Sequence, residues 1–314
     1  MKIYTKQQIE ACLDIPHILQ ELEKGLILYS EKQSQIAPVG FLRFNNPSGE
    51  VHIKSGYIPG DEFYVIKIAS GFPQNAKLGL SSSNGLMLIF SQKTGQLDAI
   101  LHDEGILTDL RTGLVGAICA KYLAPLPITR IGIIGTGIQA KEQLLNLQWV
   151  TPCREAFIWG RDSGKVSAFS KDPKLSAFRI SCANSIEEVA QSCNLIVTAT
   201  ASTAPLLFGH QLRPGTHITA VGADDIGKQE LDQSVFERSD LIIADSLSQC
   251  LKYGDLAKAK NFPHQKLIEL GEFLMTPRKR ESHWITAADL TGIAIEDLQI
   301  AKAVYSKLRL LEEA

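Results

Sequence analysis

The chain has 314 residues, of which 45% are hydrophobic and 21% charged, a composition typical of globular rather than disordered proteins. Its 32 Lys and Arg and 34 Asp and Glu residues leave a net charge of −2, without the basic excess of a protein that binds nucleic acid or anionic membranes. No apolar run approaches the roughly 18 residues of a membrane span, and the N-terminus does not resemble a secretory signal. We therefore expect a cytoplasmic protein with neither a nucleic-acid nor a membrane partner.

The cysteines are scattered and form neither a CxxC pair nor a zinc-ligand spacing with histidine. This pattern predicts reduced, mostly buried thiols and no metal site. At about 150 residues per domain, the length predicts two domains.

The first part of the chain has a helical hydrophobic period, then a strand period of two, and then a helix. Thr5 with Gln8 predicts a capping box before a short helix, and Asp14 predicts the N-cap of a second helix. Strands with a period of two are then predicted at residues 51–58, 63–69, 86–90 and 97–101, the last two joined in a hairpin by a turn at 93–95. Thr108 is the predicted N-cap of a helix that runs to Leu123, and the prolines that follow predict a domain boundary.

The second part alternates strands with helices. Apolar strands are predicted at residues 130–135, 155–159, 178–181, 194–200, 216–221 and 241–245, and one long helix begins at about Ile295. This alternation predicts an α/β fold of Rossmann type, with a doubly wound parallel sheet.

A glycine-rich loop follows the first of these strands. Gly135 permits a tight turn and Gly137 lets backbone approach a pyrophosphate, while Ala140 lets the helix pack closely on the strand. Thr136, Ile138 and Gln139 complete the predicted binding loop. A purely structural glycine turn is the alternative.

The end of the second strand of such a fold selects the cofactor, because an acidic residue there binds the ribose of NAD and an arginine favours NADP. Gly160 occupies the expected acidic position and Arg161 follows it. The sequence therefore favours NADP(H) over NAD(H), although Asp162 could still reach the ribose.

Arg111 and Lys67 are candidate anion-binding residues. Arg111 is predicted in the first turn of a helix, where the helix dipole disfavours a cation, so a bound carboxylate is one explanation. A salt bridge to Asp109 or Glu104 is the other. Lys67 interrupts an apolar strand, and an edge-strand lysine is the alternative there.

Asp224 follows the strand at 216–221, at the sheet edge where ligands bind in such folds. A carboxylate in this place could exchange a proton with an amine. The alternative for Asp224 is an N-cap or turn carboxylate, which is the favoured interpretation for Asp225.

Taken together, these segments resemble the ornithine cyclodeaminase/mu-crystallin family. The matching stretches are residues 67–73 with Asn75, 107–113, 132–140, 222–231 and 285–297, and residues 51–59 resemble a branch that includes proteins of ectoine utilisation. The resemblance implies a discontinuous α+β domain for substrate binding and dimerisation, residues 1–122 with 295–314, around a Rossmann domain at 123–294. It also implies a homodimer built from the N-terminal sheet and the apolar stripe Leu298–Leu308 of the last helix.

The resemblance also assigns residue roles. Lys67 and Arg111 would hold the substrate carboxylate, and Asp224 would be the acid–base group beside the amine. The cofactor would be bound near Val221, Thr200 and Thr112. Of these, Val221 would lie near the nicotinamide and Thr200 near the ribose.

Two departures from the family pattern bear on the substrate. Gly40 stands where an arginine is common, with Arg43 as its possible replacement, and Gly56 stands where cyclodeaminases have a glutamate. Lys54 lies close by and would repel the δ-ammonium of ornithine.

The expected activity is nicotinamide-dependent hydride transfer at the α-carbon of a small amino acid or cyclic imino acid. The departures favour a ketimine reductase or amino-acid dehydrogenase. The alternatives are a cyclodeaminase, which releases ammonia and recycles its cofactor, and a non-catalytic NADPH-linked binder like mu-crystallin.

Overall fold

The computed structural model describes residues 1–313, except for the side chain of Ala76. The chain forms two compact units: unit 1 is Met1–Arg111 with the C-terminal segment from Ile293, and unit 2 is Thr112–Gly292.

The strands, in chain order, are β1 (Lys2–Thr5), β2 (Gln35–Ile36), β3 (Gly40–Asn45), β4 (Ser48–Tyr57), β5 (Phe63–Gly71), β6 (Ser83–Ser91), β7 (Leu97–His102), β8 (Ile131–Ile134), β9 (Glu155–Trp159), β10 (Arg179–Cys182), β11 (Leu195–Thr198), β12 (Thr203–Leu207), β13 (His217–Ala220), β14 (Gln229–Leu231), β15 (Leu241–Ala244), β16 (Leu267–Glu269) and β17 (Thr286–Asp289). The α-helices are α1 (Lys6–Ala11), α2 (Ile15–Ser30), α3 (Ile106–Leu123), α4 (Ile138–Leu147), α5 (Ser163–Ser170), α6 (Ile186–Ser192), α7 (Gln233–Arg238), α8 (Leu247–Tyr253), α9 (Leu270–Met275) and α10 (Ala294–Glu313).

Unit 1 is built on a mixed sheet in the order β1-β7-β6-β5-β4-β2, with β3 paired to β4. The strands from β2 to β7 pair antiparallel, as the period of two predicts, and β1 joins β7 in parallel. The predicted hairpin between β6 and β7 is confirmed, and Gly95 supplies its positive φ of 70°. The sequence does not predict β1, β2 and β3, which are short or solvent-exposed and so show no clear alternation.

Helix α10 packs on α2, β4 and β5 through its apolar stripe. Leu298, Ala301, Tyr305 and Leu308 are all buried in this single chain. The prediction that this stripe faces a second copy is therefore wrong, because unit 1 needs it to cover its own sheet.

Helix α3 begins earlier than predicted. The Asp103 side chain accepts a hydrogen bond from the backbone N–H of Leu107 at 2.9 Å, and Gly105 turns the chain with a φ of +88°. Thr108 therefore lies inside the helix, not at its N-cap, and Arg111 lies in the second turn. The division between the units falls within α3, whereas the predicted boundary is at its end.

Unit 2 contains a parallel sheet in the order β10-β9-β8-β11-β13-β17-β15-β16. From β8 the order runs outward through β9 and β10, and from β11 it runs in the other direction through β13, with the last strand, β17, inserted between β13 and β15. This two-way winding of a parallel sheet confirms the doubly wound Rossmann-type fold. The core of this unit lies on the sheet, where Ile134, Ile196, Ile218 and Phe236 are fully buried. The ends of β8 and β11 lie side by side at the point where the strand order reverses, which is where such sheets bind ligands.

Within residues 1–313, no helix has the length and apolar composition needed to cross a membrane. All the cysteines are free thiols, and Cys182 is the exposed one.

Candidate functional site

The glycine loop joins β8 to α4. Gly135 has a φ of +131°, and a Cβ there would lie 2.4 Å from the carbonyl oxygen of Ala199. At Gly137, the N-cap of α4, a Cβ would meet nothing within 4 Å. Thus Gly135 is required by the fold, whereas the space at Gly137 leaves the helix N-terminus open to a ligand. Thr136, Ile138 and Gln139 flank this opening, so the loop fits the pyrophosphate of a dinucleotide.

Thr200 and Val221 follow β11 and β13, and a buried carboxylate joins these two strand ends. One oxygen of Glu230 accepts from the Thr200 N–H and hydroxyl at 2.6 and 2.7 Å, and the other accepts from the Thr198 hydroxyl and the Gly222 N–H at 2.8 and 2.7 Å. Burial raises the pKa of Glu230 to about 7 against the effect of these donors. The sequence does not single out Glu230, because its strand, β14, has three residues and no hydrophobic pattern.

The end of β9 carries Gly160 and Arg161. A Cβ at Gly160 would lie 2.7 Å from Cγ2 of Thr136, so an acidic side chain does not fit there without displacement of the glycine loop. Asp162 caps α5 by accepting from the Lys165 N–H at 3.0 Å, which gives it a structural role. Arg161 is exposed.

Lys67 lies in β5, between β4 and β6. The edge-strand alternative is therefore wrong. Its side chain is 2% exposed, and Nζ lies 2.9 and 2.8 Å from the two carboxylate oxygens of Asp297 in α10.

Arg111 is buried beside the same helix. Its Nη1 donates to Glu296 Oε2 at 2.6 Å, and its Nε lies 3.0 Å from Asp297 Oδ1. Both contacts come from the first turn of α10, far along the chain from Asp109 and Glu104, which are the partners in the alternative interpretation. Nothing in local spacing connects residue 111 to residue 297, so the sequence could not show this pairing.

Lys54 is also buried, and it pairs in register with Lys67 across the two strands. The pKa of Lys67 is lowered to about 7, mainly by burial; Asp297 opposes this shift, and Arg111 and Lys54 add to it.

Arg43 is not part of this buried group. It is exposed on β3 opposite Glu50, four residues along β4 from Lys54, or about 13 Å at 3.3 Å per residue.

Asp224 lies in the turn between β13 and β14. It is half-buried and accepts a hydrogen bond from Lys228 Nζ at 2.7 Å. Asp225 is buried, and its side chain accepts from the adjacent Ile226 N–H at 2.7 Å, as a turn carboxylate does. Thr112, in α3, accepts a hydrogen bond on its carbonyl from Gln143 at 2.9 Å.

Residues 1–311 match the sequence profile of the ornithine cyclodeaminase/mu-crystallin family. An uncharacterized cyclodeaminase of Sinorhizobium fredii is 38% identical over 322 residues, which cover 98% of this chain and 96% of that protein.

Two solved structures share the fold over almost their whole length. The Thermococcus litoralis Delta(1)-pyrroline-2-carboxylate reductase, in complex with NADH and L-proline, matches with a TM-score of 0.89 and 25% identity and covers 98% of this chain and 97% of that one. An archaeal alanine dehydrogenase dimer with bound NAD matches with a TM-score of 0.88 and 28% identity. The match covers 99% of this chain and 97% of that one.

The two loop glycines make a matched test of the binding loop. Gly135→Ala should destabilise the protein by about 1–3 kcal/mol, because alanine is strained at this φ and would contact Ala199. Gly137→Ala should leave stability nearly unchanged and weaken dinucleotide binding, because its Cβ enters only the open space. Thermal unfolding and cofactor titration separate the effects. Full dinucleotide affinity in a folded Gly137→Ala protein would favour the purely structural turn.

Proposed function

Because the chain belongs to the ornithine cyclodeaminase/mu-crystallin family and is an enzyme of that family, we propose that it transfers a hydride at the α-carbon of a small amino acid or cyclic imino acid. The proposed direction is that of a ketimine reductase or an amino-acid dehydrogenase. One observation carries the proposal: Lys67 and Arg111 are buried together in unit 1, where two cations have a clear use in binding a carboxylate.

Lys67 and Arg111 supply the carboxylate-binding donors. An ammonium has three N–H donors and a guanidinium five, so each can hold a protein carboxylate and a substrate carboxylate at once. Charge-assisted hydrogen bonds of this kind are about twice as strong as neutral ones, and burial excludes competing water. These two residues would fix the orientation of the α-carbon.

The glycine loop, with Gly135 and Gly137, would hold a dinucleotide whose nicotinamide gives or accepts the hydride. Asp224 would lie beside the substrate nitrogen. In the oxidative direction its carboxylate accepts the proton that the amine must lose, and in the reductive direction it stabilises or protonates the iminium. Its ion pair with Lys228 keeps the carboxylate in place within the turn.

Lys54 supports the reductase or dehydrogenase direction over ornithine cyclodeamination. It is buried next to Lys67, and like charges this close repel a further ammonium. A substrate with a neutral side chain avoids this cost. Cyclodeamination is the second candidate, and the name of the Sinorhizobium fredii relative favours it.

A non-catalytic binder is the third candidate. Binding alone needs the cations and the glycine loop but no proton acceptor, so Asp224 argues for catalysis.

Two further features are part of the proposal. NADP(H) is the favoured cofactor, because Gly160 has no room for an acid, Asp162 caps α5 and Arg161 is exposed beside that cap. The chain forms a homodimer through the β3–β4 face of the sheet on which Leu42 and Phe44 expose 52% and 43% of their surface.

A screen of amino acids and cyclic imino acids, with NAD(P)H absorbance and ammonia followed separately, tests the reaction. Cofactor consumption without ammonia in the reductive direction supports a ketimine reductase, and ammonia release without net cofactor change supports a cyclodeaminase. On the best substrate, Asp224→Asn should reduce turnover by about 10²–10⁴-fold with dinucleotide affinity nearly unchanged.

Asp225→Asn is the matched control, since it removes the same charge from the same turn, and its effect should be mild. If Asp224→Asn keeps full turnover, the proposed role of Asp224 is wrong. If the wild type binds NADPH and a small carboxylate but turns nothing over, the chain is a binder.

Arg161→Ala tests the cofactor preference. Loss of a charge-assisted contact to a 2′-phosphate should weaken NADPH binding by about 1.5–3 kcal/mol and NADH binding much less. Equal losses in fluorescence titrations of the two cofactors would contradict the preference for NADP(H).

Phe44→Glu tests the dimer. Light scattering of the wild type at micromolar concentration should give twice the 34.4 kDa chain mass, and a charge on the β3–β4 face should shift the protein toward the monomer. A wild-type monomer would refute the proposed assembly.

A further inference from the structure

Five charged side chains from four elements are buried together in unit 1. The cations are Lys54 from β4, Lys67 from β5 and Arg111 from α3, and the carboxylates are Glu296 and Asp297 from the first turn of α10. The proposed function uses the cations but gives no role to the carboxylates.

Asp297 contacts both proposed substrate-binding cations. Its two oxygens lie 2.9 and 2.8 Å from Lys67 Nζ, and Oδ1 also lies 3.0 Å from Arg111 Nε. Glu296 contacts Arg111 Nη1 at 2.6 Å. Both neighbouring carboxylates therefore contact Arg111, and Asp297 contacts Lys67 as well.

We propose that Asp297 is the positioning residue of the carboxylate-binding site: it fixes Lys67 beside the Arg111 guanidinium and favours the charged form of Lys67 for an incoming carboxylate. The inference rests on the proposed function, in which Lys67 and Arg111 bind the substrate carboxylate. It adds that the affinity for substrate depends on a residue of the last helix.

The surroundings of Lys67 explain why it needs such a partner. Lys54 faces it from β4 and Arg111 from α3, and both favour loss of its proton. On β6 its register partner is the uncharged Met87. Asp103, before α3, is a buried carboxyl whose pKa burial raises and Lys67 lowers. Asp297 is therefore the carboxylate in contact with Nζ that opposes the effects of burial and of two cations.

This arrangement predicts proton uptake when substrate binds. With the pKa of Lys67 lowered to about 7, the free protein holds this lysine mostly neutral at pH 8 and mostly charged at pH 6. A substrate carboxylate adds a second negative charge and raises the pKa of Lys67. Binding should therefore take up close to one proton at pH 8 and little at pH 6.

The wild-type protein can be tested by calorimetry, with L-proline and L-alanine as probes in buffers of different ionisation enthalpy. Proton uptake at pH 8 that vanishes at pH 6 is the expected result. The same uptake at both pH values, or none at pH 8, would overturn the inference. If neither these probes nor any substrate of the screen binds, the proposed function and the inference that rests on it both fail.

Asp297→Asn and Glu296→Gln make a matched pair, because each removes one negative charge from the same turn of α10. Asp297→Asn should move the alkaline limb of kcat/KM to lower pH by about 1–3 units, as expected for loss of an opposite charge in contact with a titrating group. The effect at pH 8 should be mainly on KM. Glu296→Gln should weaken substrate binding without moving the limb. Equal shifts in both variants would contradict a specific role for Asp297.

Two measurements keep the test valid if Asp297→Asn does not fold. Lys67→Arg, whose side chain does not titrate in this range, should remove the alkaline limb in a protein that retains Asp297. The pKa of Lys67 in the wild type, read from isotope-labelled lysine by NMR, should lie near 7 and rise on binding of the probe. A limb that persists in Lys67→Arg, or a Lys67 pKa that stays at the ordinary value of a lysine in the free protein, would overturn the inference. Unchanged probe binding in Lys67→Met would instead refute the proposed carboxylate role of Lys67 itself.

Discussion

The ion pairs between α10 and the cations of β5 and α3 are the interactions on which unit 1 and its chemistry depend. A buried ammonium or guanidinium costs several kcal/mol in lost hydration unless a carboxylate compensates it. Asp297 and Glu296 provide that compensation for Lys67 and Arg111. Because well-packed apolar groups often give similar or greater stability at such a position, stability alone does not explain these charges. The C-terminal segment of the chain thus belongs to unit 1 for an electrostatic reason as well as for its apolar stripe.

In the proposed function, unit 2 would present backbone groups to a dinucleotide. Gly135 brings the glycine loop against the end of β11, and Glu230 ties that strand end to the end of β13. The hydroxyl of Thr200 donates to Glu230, so its position is set by the protein before any ligand arrives. Loop residues that are held by buried hydrogen bonds can bind with little loss of conformational entropy.

Much of this fold follows from the sequence, because hydrophobic period and glycine position are local signals. The strands β4 to β7, six of the eight strands of the parallel sheet and the glycine loop lie at or within a few residues of their predicted places, whereas β16 and β17 are not predicted. The prediction of Thr108 as an N-cap is wrong because Asp103 and Gly105 begin the helix one turn earlier. The stripe on α10 is apolar, as predicted, but period alone cannot say whether a helix covers its own sheet or a partner.

In the candidate site, too, some residues have a local sequence signal and others are identified only by the fold. Lys67, Arg111 and Asp224 could be selected from the sequence, because a charge in an apolar strand, at a helix start or at a strand end is locally unusual. Asp297 and Glu230 could not be selected, because their importance comes from contacts with residues that are distant in the sequence. Asp297 contacts Lys67, which lies 230 positions away, and Glu230 contacts Thr200, which lies 30 positions away. Their carboxylates look like ordinary helix-start and strand residues until the fold brings their partners to them.

Isotope transfer tests the central claim most directly. Deuterium at C4 of the reduced nicotinamide can be followed by mass spectrometry into the product of imino-acid reduction. Our account predicts one deuterium at the α-carbon of the amino acid formed, in the wild type and at a lower rate in Asp224→Asn. Turnover with no deuterium at the α-carbon would contradict hydride transfer at that position.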